Sequence, residues 1–236
     1  MTPAMPKEIA DAVDYADVRK NVTYADIERL CLEAVHYRLG TVVVPSALVR
    51  RATGCLAGTE VGISCFVGYP FGTQAAIVKA QEAAVAVEHG ATELEIVLHH
   101  GAAQAARWAE VEAELAVVRQ VVGTATLKLV AEASILSDDE LSNVARLAAD
   151  AGYAMIANSA GFRIVSTRPE TQSTATPAVV ERLVRAGGGR IRAKATGGVA
   201  TREEVTRLLL AGAARVTVDA EPGVLRRLTG DGQEER

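Results

Sequence analysis

Hydrophobic residues along this chain follow two different spacings in turn, and the alternation predicts eight strands separated by helices. Short apolar or alternating runs are typical of strands, whereas apolar residues three and four positions apart are typical of amphipathic helices. Thr23, Ser137 and Thr201 are placed to cap the starts of helices, and Gly40 and Gly212 to end them. The strands are predicted at residues 13–18, 41–44, 61–67, 93–98, 126–131, 153–157, 190–195 and 215–218.

An eightfold repetition of strand and helix is the pattern of a (β/α)8 TIM barrel, an α/β fold in which helices surround a closed parallel sheet. A doubly wound open sheet is the alternative, but no glycine-rich dinucleotide turn follows the first strand. A length of 236 residues suits one barrel. We therefore predict a single domain over residues 1–236, with a loose lead-in over 1–12 and a polar tail over 230–236.

The composition narrows the range of partners. Hydrophobic residues make up 49% of the chain and aromatic residues only 4%, so the core is expected to be aliphatic. A net charge of -4 offers no broad attraction to nucleic acid or to an anionic membrane surface. No apolar run reaches the roughly 18 residues of a membrane span, and the N-terminus has no apolar signal core. We expect a cytoplasmic protein whose partner is a small molecule.

The cysteines do not indicate a metal site or a disulfide framework. Cys31, Cys55 and Cys65 are odd in number and lack the spacing of metal ligands. We therefore predict no metal and no cofactor.

One lysine stands out because of its setting. Lys194 is one of five lysines in the chain and lies in an apolar, strand-like run that leads into a Gly-Gly turn. Alternation along this strand places Arg190, Arg192 and Lys194 on one face, which we expect to line the barrel interior. A lysine amine attacks a carbonyl group only when it is unprotonated, and Arg192 is placed to lower its pKa. Glu95 is the candidate acid or base.

Further candidate residues lie where the predicted strands end, because the working groups of such barrels lie at the carboxyl ends of the strands. The cationic side chains among them would suit a carboxylate or an enolate. The structural alternative is that the charges only pair with one another inside the barrel. The substrate-binding candidates are Lys128, Glu132, Arg192, His99, Ser159, Gly197 and Gly198.

Several motifs together identify a family resemblance. They are residues 42–46 (VVVPS), 67–72 (VGYPFG), 77–83 (IVKAQEA), 93–97 (ELEIV), 127–132 (LKLVAE), 158–162 (NSAGF) and 193–199 (AKATGGV). The chain resembles deoxyribose-phosphate aldolase over nearly its whole length. The resemblance implies a TIM barrel and a class I aldolase, which joins acetaldehyde to glyceraldehyde 3-phosphate through a lysine Schiff base.

The chain departs from the family pattern at the positions that carry the chemistry. Ala157 stands where the family has its Schiff-base lysine, and Glu95 stands where it has an aspartate, whereas Lys194 matches its second lysine. Asp219 and Glu221 occupy the second half of the family's phosphate site and place negative charge there. We therefore do not expect ordinary deoxyribose-phosphate aldolase activity.

Three functions remain open at this point. The first is a repurposed lyase, with Lys194 as the amine and Glu95 as the acid or base, acting on a carbonyl compound without a terminal phosphate. The second is an imine-free isomerase, dehydratase or cyclase that uses Glu95, His99 or His100. The third is a non-catalytic relative that binds a ligand or a partner subunit. We also expect a homodimer formed through outer helices.

Overall fold

The computed structural model describes residues 5–161 and 174–230, and their strands form a closed parallel barrel in sequence order. The prediction of a (β/α)8 barrel is therefore confirmed, and the first strand, which has the weakest pattern, closes the barrel against the last. The strands are β1 Val13–Ala16, β2 Thr41–Val44, β3 Gly62–Val67, β4 Glu93–Val97, β5 Thr126–Val130, β6 Met155–Ala157, β7 Arg192–Ala195 and β8 Ala213–Asp219.

The helices follow the strands as the sequence pattern predicts. Thr23, Ser137 and Thr201 each form a capping box with the residue three positions later, so all three predicted helix starts are confirmed. The helices are α1 Lys7–Ala12, α2 Tyr24–His36, α3 Val49–Cys55, α4 Ala76–Glu88, α5 His100–Gln104, α6 Trp108–Val121, α7 Asp138–Asp150, α8 Pro177–Gly187, α9 Arg202–Leu210 and α10 Val224–Thr229.

The amino-terminal region differs from the prediction of a loose lead-in. Residues 7–12 form the helix α1, whose Ile9 and Ala10 are buried, and the backbone N–H of Gly40 donates to the Ala10 carbonyl at 3.0 Å. The helix α2 ends at His36 instead of Gly40. A Cβ atom at Gly40 would lie 2.9 Å from the Asp11 carbonyl oxygen, so glycine there permits close contact with α1.

Residues 1–4, the polar tail over 231–236 and most of the loop predicted over 163–176 lie outside the described residues. The single-domain boundaries stay a prediction. Within the described ranges, no helix is both long enough and apolar enough to cross a bilayer.

The core has two compartments. The larger one lies between the strands and the helices, where side chains such as Leu94 and Ile96 pack against small residues of the helices, including Ala80 and Ala83. The smaller one lies inside the barrel at the carboxyl ends of the strands. We call it the upper compartment, and its members are Ala16, Val43, Phe66, Val97, Val130, Ala157 and Ala160.

Candidate active site

Charged side chains fill the barrel interior below the upper compartment. In a parallel barrel, inward residues of alternate strands form layers, and the strand register places inward residues of β1, β3, β5 and β7 at one level. These residues are Asp14, Ser64, Lys128 and Lys194, and the exposed fraction of each is 0%.

Two carboxylates hold the Lys194 amine. Its Nζ lies 2.7 Å from Asp14 Oδ2 and forms a direct ion pair with Glu95 Oε1. The hydroxyl of Ser64 donates to the same Glu95 oxygen at 3.1 Å. The amine therefore points into the barrel interior, as the strand parity of Lys194 predicts. Its contacts with Asp14 and Glu95 are ion pairs.

The Lys128 amine shares these carboxylates. Its Nζ lies 2.7 Å from Asp14 Oδ2, 2.5 Å from Glu93 Oε2 and 3.6 Å from Glu95 Oε1. The guanidinium of Arg215 forms ion pairs with the other Asp14 oxygen and with Glu93. Asp14, Glu93 and Glu95 thus oppose Lys128, Lys194 and Arg215 in an interior network of balanced charge.

The network shifts the titration of its members in opposite directions. Burial opposes ionisation of the Asp14 carboxyl, but the positive charges of Lys128, Lys194 and Arg215 outweigh it and hold its pKa well below the usual range. Burial likewise opposes protonation of Lys128, yet the neighbouring carboxylates raise the pKa of its amine. The network therefore favours the ionised forms of Asp14 and Lys128.

The prediction that Arg192 lies beside Lys194 in the interior is wrong. Arg192 is exposed at the start of β7, and the ladder between β7 and β8 shifts register between Ala193 and Lys194. Arg215 is the residue that pairs with Lys194 across this ladder. Since Lys128 is already satisfied by carboxylates, the interior offers no open cationic surface of the predicted kind for a substrate carboxylate among these side chains.

Comparisons with known proteins agree with this architecture. No protein-family model matches the chain. The deoxyribose-phosphate aldolase of Syntrophotalea carbinolica is 33% identical over 193 residues, which cover 82% of this chain and 84% of the relative. The enzyme of the same name from Mycolicibacterium paratuberculosis is 35% identical over 205 residues, or 85% of this chain and 87% of the relative. The chain belongs to the deoxyribose-phosphate aldolase family.

A solved aldolase structure has the same fold. The aldolase QR15 superposes with a TM-score of 0.84 at 25% sequence identity, and the match covers 96% of each chain.

Ala157 leaves a methyl group in the upper compartment where the resemblance places the imine-forming lysine of deoxyribose-phosphate aldolase. Ala157 is fully buried and pairs in register with Lys194 on β7 and with Val130 on β5. The space directly above the charged layer is therefore apolar. Lys194 is the lysine nearest to Ala157 along this ladder.

Glu132 is a strained and buried carboxyl group at the end of β5. Its backbone has a left-handed conformation, with φ of 47°, which is uncommon for a residue other than glycine. Its Oε1 accepts from the Ala160 N–H at 2.6 Å and from the Ser159 hydroxyl at 3.4 Å. Its Oε2 is buried and has no hydrogen-bond partner. Burial outweighs the Ala160 hydrogen bond and raises the pKa of the Glu132 carboxyl to about 7.

Replacing Glu132 with glutamine is expected to flatten the pH dependence of stability. A carboxyl group whose folded pKa is raised from 4.5 to about 7 contributes stability that is full below its unfolded pKa and lost as pH rises through the folded value. In the wild type this loss amounts to about 3 kcal/mol. Urea unfolding at a series of pH values measures it. An unchanged slope in Glu132→Gln would contradict the assignment.

The histidines do not join the interior network. Burial, followed by the charge of Lys79 and by His99, lowers the pKa of His100 to about 4, and its Nε2 is buried without a partner. Lys79 reaches Glu114 at 2.9 Å in the layer between the barrel and the helices. The backbone N–H of His99 donates to the same Glu114, and within the described ranges no hydrogen bond or ion pair links the His99 imidazole to Glu95.

The turns after β6 and β7 are fastened together by Asn158. Its side-chain amide donates to the Thr196 carbonyl at 2.9 Å, and its side-chain oxygen accepts from the Thr196 N–H at 2.7 Å. Gly197 and Gly198 follow with positive φ angles of 109° and 71°, which glycine adopts without strain. Asn158 therefore positions the glycine turn that the sequence predicts at the barrel mouth.

Proposed function

We propose that this protein is an aldolase-type lyase that forms or cleaves a carbon–carbon bond in a carbonyl compound without a terminal phosphate. The observation that supports the proposal is the Lys194 amine, which lies inside the barrel in direct contact with Glu95 and one position across the ladder from Ala157. Glu95 is the base closest to this amine. The family relationship supports the general reaction class.

The proposed mechanism begins with transfer of one proton from the Lys194 ammonium to Glu95. The neutral amine then adds to the substrate carbonyl carbon, and loss of water leaves an iminium ion. Breaking the bond between the α and β carbons sends its electron pair toward the iminium nitrogen, while the β-hydroxyl proton passes to a base. The resulting enamine takes a proton at its α carbon, and addition of water to the iminium ion so formed releases the second carbonyl product and returns the amine.

The missing lysine side chain at position 157 gives the Lys194 amine a route to the substrate. Lys194 has a long flexible side chain, and its neighbour across the ladder, Ala157, carries only a methyl group. The substrate-binding part of the proposal comprises Glu132, Ser159, Gly197 and Gly198. A homodimer in the cytoplasm completes the proposal, and sedimentation measures the assembly.

Borohydride reduction in the presence of a panel of aldehydes and ketones is expected to modify Lys194. Peptide mass analysis locates the adduct. Lys194→Met is expected to lose both the adduct and turnover, and Glu95→Gln is expected to slow adduct formation by roughly 10²-fold or more, as loss of a general base does. Lys20→Met serves as a control because Lys20 is exposed and lies outside the barrel interior.

A second function is favoured by Glu132, whose pKa of about 7 and free Oε2 suit imine-free proton transfer, such as isomerisation, dehydration or cyclisation. In that case Lys194→Met retains turnover and Glu132→Gln loses it. A protein that forms no adduct with any carbonyl compound and turns none over would instead match a non-catalytic ligand-binding relative, in which the interior charges only satisfy one another.

A further inference from the structure

We propose that the barrel mouth binds a protonated amine, so that the substrate is a small amino aldehyde or amino ketone. This inference rests on the proposed function and deepens it. Two carboxyl groups carry it: Asp219 at the end of β8 and Glu132 after β5. Neither has an ion-pair partner among the described residues, and both lie beside the upper compartment.

The strand register fixes the place of Asp219. It pairs with Ala16 of β1, and the next residue, Ala220, donates its backbone N–H to the Ala16 carbonyl at 2.8 Å. Ala16 belongs to the upper compartment. Asp219 itself is exposed to solvent at the carboxyl end of β8.

The charge around Asp219 is negative. Partial loss of solvent around the Asp219 carboxyl, followed by the charges of Glu221 and Asp17, raises its pKa. Asp17 is neutralised by Arg19 at 2.6 Å, whereas Glu221 reaches Arg227 only at 3.9 Å. Asp219 therefore lacks a compensating cation among the described residues, and a bound cation would supply one.

Glu132 provides the second, independent observation. Its side chain is wholly buried, and its Oε2 has no donor, although a buried carboxyl oxygen left without one is costly. Its other oxygen is fixed by Ala160, another member of the upper compartment. Tyr69 packs on the same compartment, and after burial itself the charges of Asp219 and Glu132 raise the pKa of its hydroxyl. Asp219, through Ala16, and Glu132, through Ala160, therefore both adjoin the upper compartment.

A primary ammonium group matches these two acceptors. It has three N–H donors, which are enough for Asp219 and for the free oxygen of Glu132 at once. A terminal phosphate would bring a dianion against the same carboxyl groups. The carbonyl group of the same molecule would then lie on the apolar side, toward Ala157 and Lys194, so a short carbon chain suffices.

Binding of three matched ketones tests the inference. Aminoacetone, hydroxyacetone and hydroxyacetone phosphate share a methyl ketone and differ in a terminal ammonium, hydroxyl or phosphate group. We expect aminoacetone to bind about tenfold more tightly than hydroxyacetone, as one charged hydrogen bond provides, and hydroxyacetone phosphate to bind most weakly. Isothermal calorimetry or protein NMR gives the three dissociation constants.

Asp219→Asn is expected to reduce the preference for aminoacetone to near unity, whereas Asp150→Asn, on the outer helix α7, leaves it unchanged. The same titrations in Lys194→Met separate this inference from the proposed function, because no imine can form there. If the preference persists while Lys194 is never trapped, the amine site stands and the imine fails. Equal affinities, or tighter binding of hydroxyacetone phosphate, would overturn the amine site even if Lys194 is trapped.

Discussion

Replacing Asp14 with asparagine is expected to destabilise the protein by about 3–5 kcal/mol, the cost of removing one partner from a buried ion network. Asp14 accepts from Lys128 and Lys194 and pairs with Arg215, and all of its side chain is buried. The asparagine has the same shape but no charge. It would leave three interior cations facing only Glu93 and Glu95.

The change is measurable as a fall of roughly 10 °C in the unfolding midpoint, given that about 1 kcal/mol shifts the midpoint of a domain of this size by roughly 2–4 °C. Asp11→Asn is the matched control. Asp11 forms an ion pair with Lys7 at 2.6 Å, nearly the same distance as in the interior pairs, but both side chains are exposed. Loss of this exposed ion pair is expected to leave the unfolding midpoint unchanged. Equal midpoints for the two variants would show that the interior network adds nothing to stability.

The titration of Asp14 is expected to determine how the stability of the fold decreases at acid pH. Burial raises the cost of charge on Asp14, but its three cationic neighbours keep its pKa below the unfolded value of 3.8. Its stabilising contribution is therefore fully present above that unfolded pKa and lost as pH falls toward the folded pKa. The pH range over which Asp14 loses this contribution lies below the range in which Glu132 titrates. Asp14→Asn and Glu132→Gln are therefore expected to alter opposite ends of the plot of stability against pH.

The barrel could be predicted from the sequence because its signal is periodic. Parallel strands buried on both sides give short aliphatic runs, and capping boxes at Thr23, Ser137 and Thr201 mark helix starts locally. The helix α1 was missed because it is only six residues long and has little periodicity to detect. Helix α2 ends before Gly40 because Arg38 takes the left-handed conformation, with φ of 55°, and the Leu39 N–H donates back to the Ala34 carbonyl.

Strand parity placed Lys194 in the interior correctly but could not name all of its partners. Asp14 and Arg215 lie at inward positions of β1 and β8, so parity on those strands contained a signal for both. Arg192 is exposed because it is the first residue of β7, at the amino end of the strand, and alternation along a strand does not indicate how deeply each inward position is buried. Ion pairs between strands distant in sequence depend on barrel closure, which a single-sequence pattern does not encode.

Glu132 was a candidate because of its position at a strand end, but its physical state could not be foreseen. The left-handed backbone and the hydrogen bond from Ala160 arise from the turns after β5 and β6 packing together. The pKa of about 7 follows from that enclosure. Such a shift depends on burial and on donors from elsewhere in the chain, and neither is a local property of the sequence.

Ala157→Lys is expected to move the reactive amine from Lys194 to position 157. The introduced side chain would enter the apolar upper compartment next to the Lys194 ammonium. Burial and this like charge both lower the pKa of the introduced amine. A decrease of about two pKa units makes its neutral, nucleophilic fraction roughly 100-fold larger. Lys194 itself remains bound by Glu95 and Asp14.

Borohydride trapping with acetaldehyde, followed by peptide mapping, measures the shift as faster labelling at position 157. Ala157→Met controls for the added volume, which is expected to cost about 1–3 kcal/mol in this packed layer, and it should give no new adduct. If labelling stays at Lys194 in Ala157→Lys, the neighbouring ammonium does not activate the introduced amine as argued.

Cleavage of deoxyribose 5-phosphate tests separately the two positions at which the sequence departs from the family resemblance, Ala157 and Asp219. The wild type is expected not to cleave it, since position 157 has no amine and the rim carries Asp219. Ala157→Lys restores the amine but keeps the negative rim, so cleavage should begin with a high KM. Adding Asp219→Ser should lower the KM and leave kcat nearly constant, because the rim acts on the phosphate while the amine acts on the carbonyl carbon.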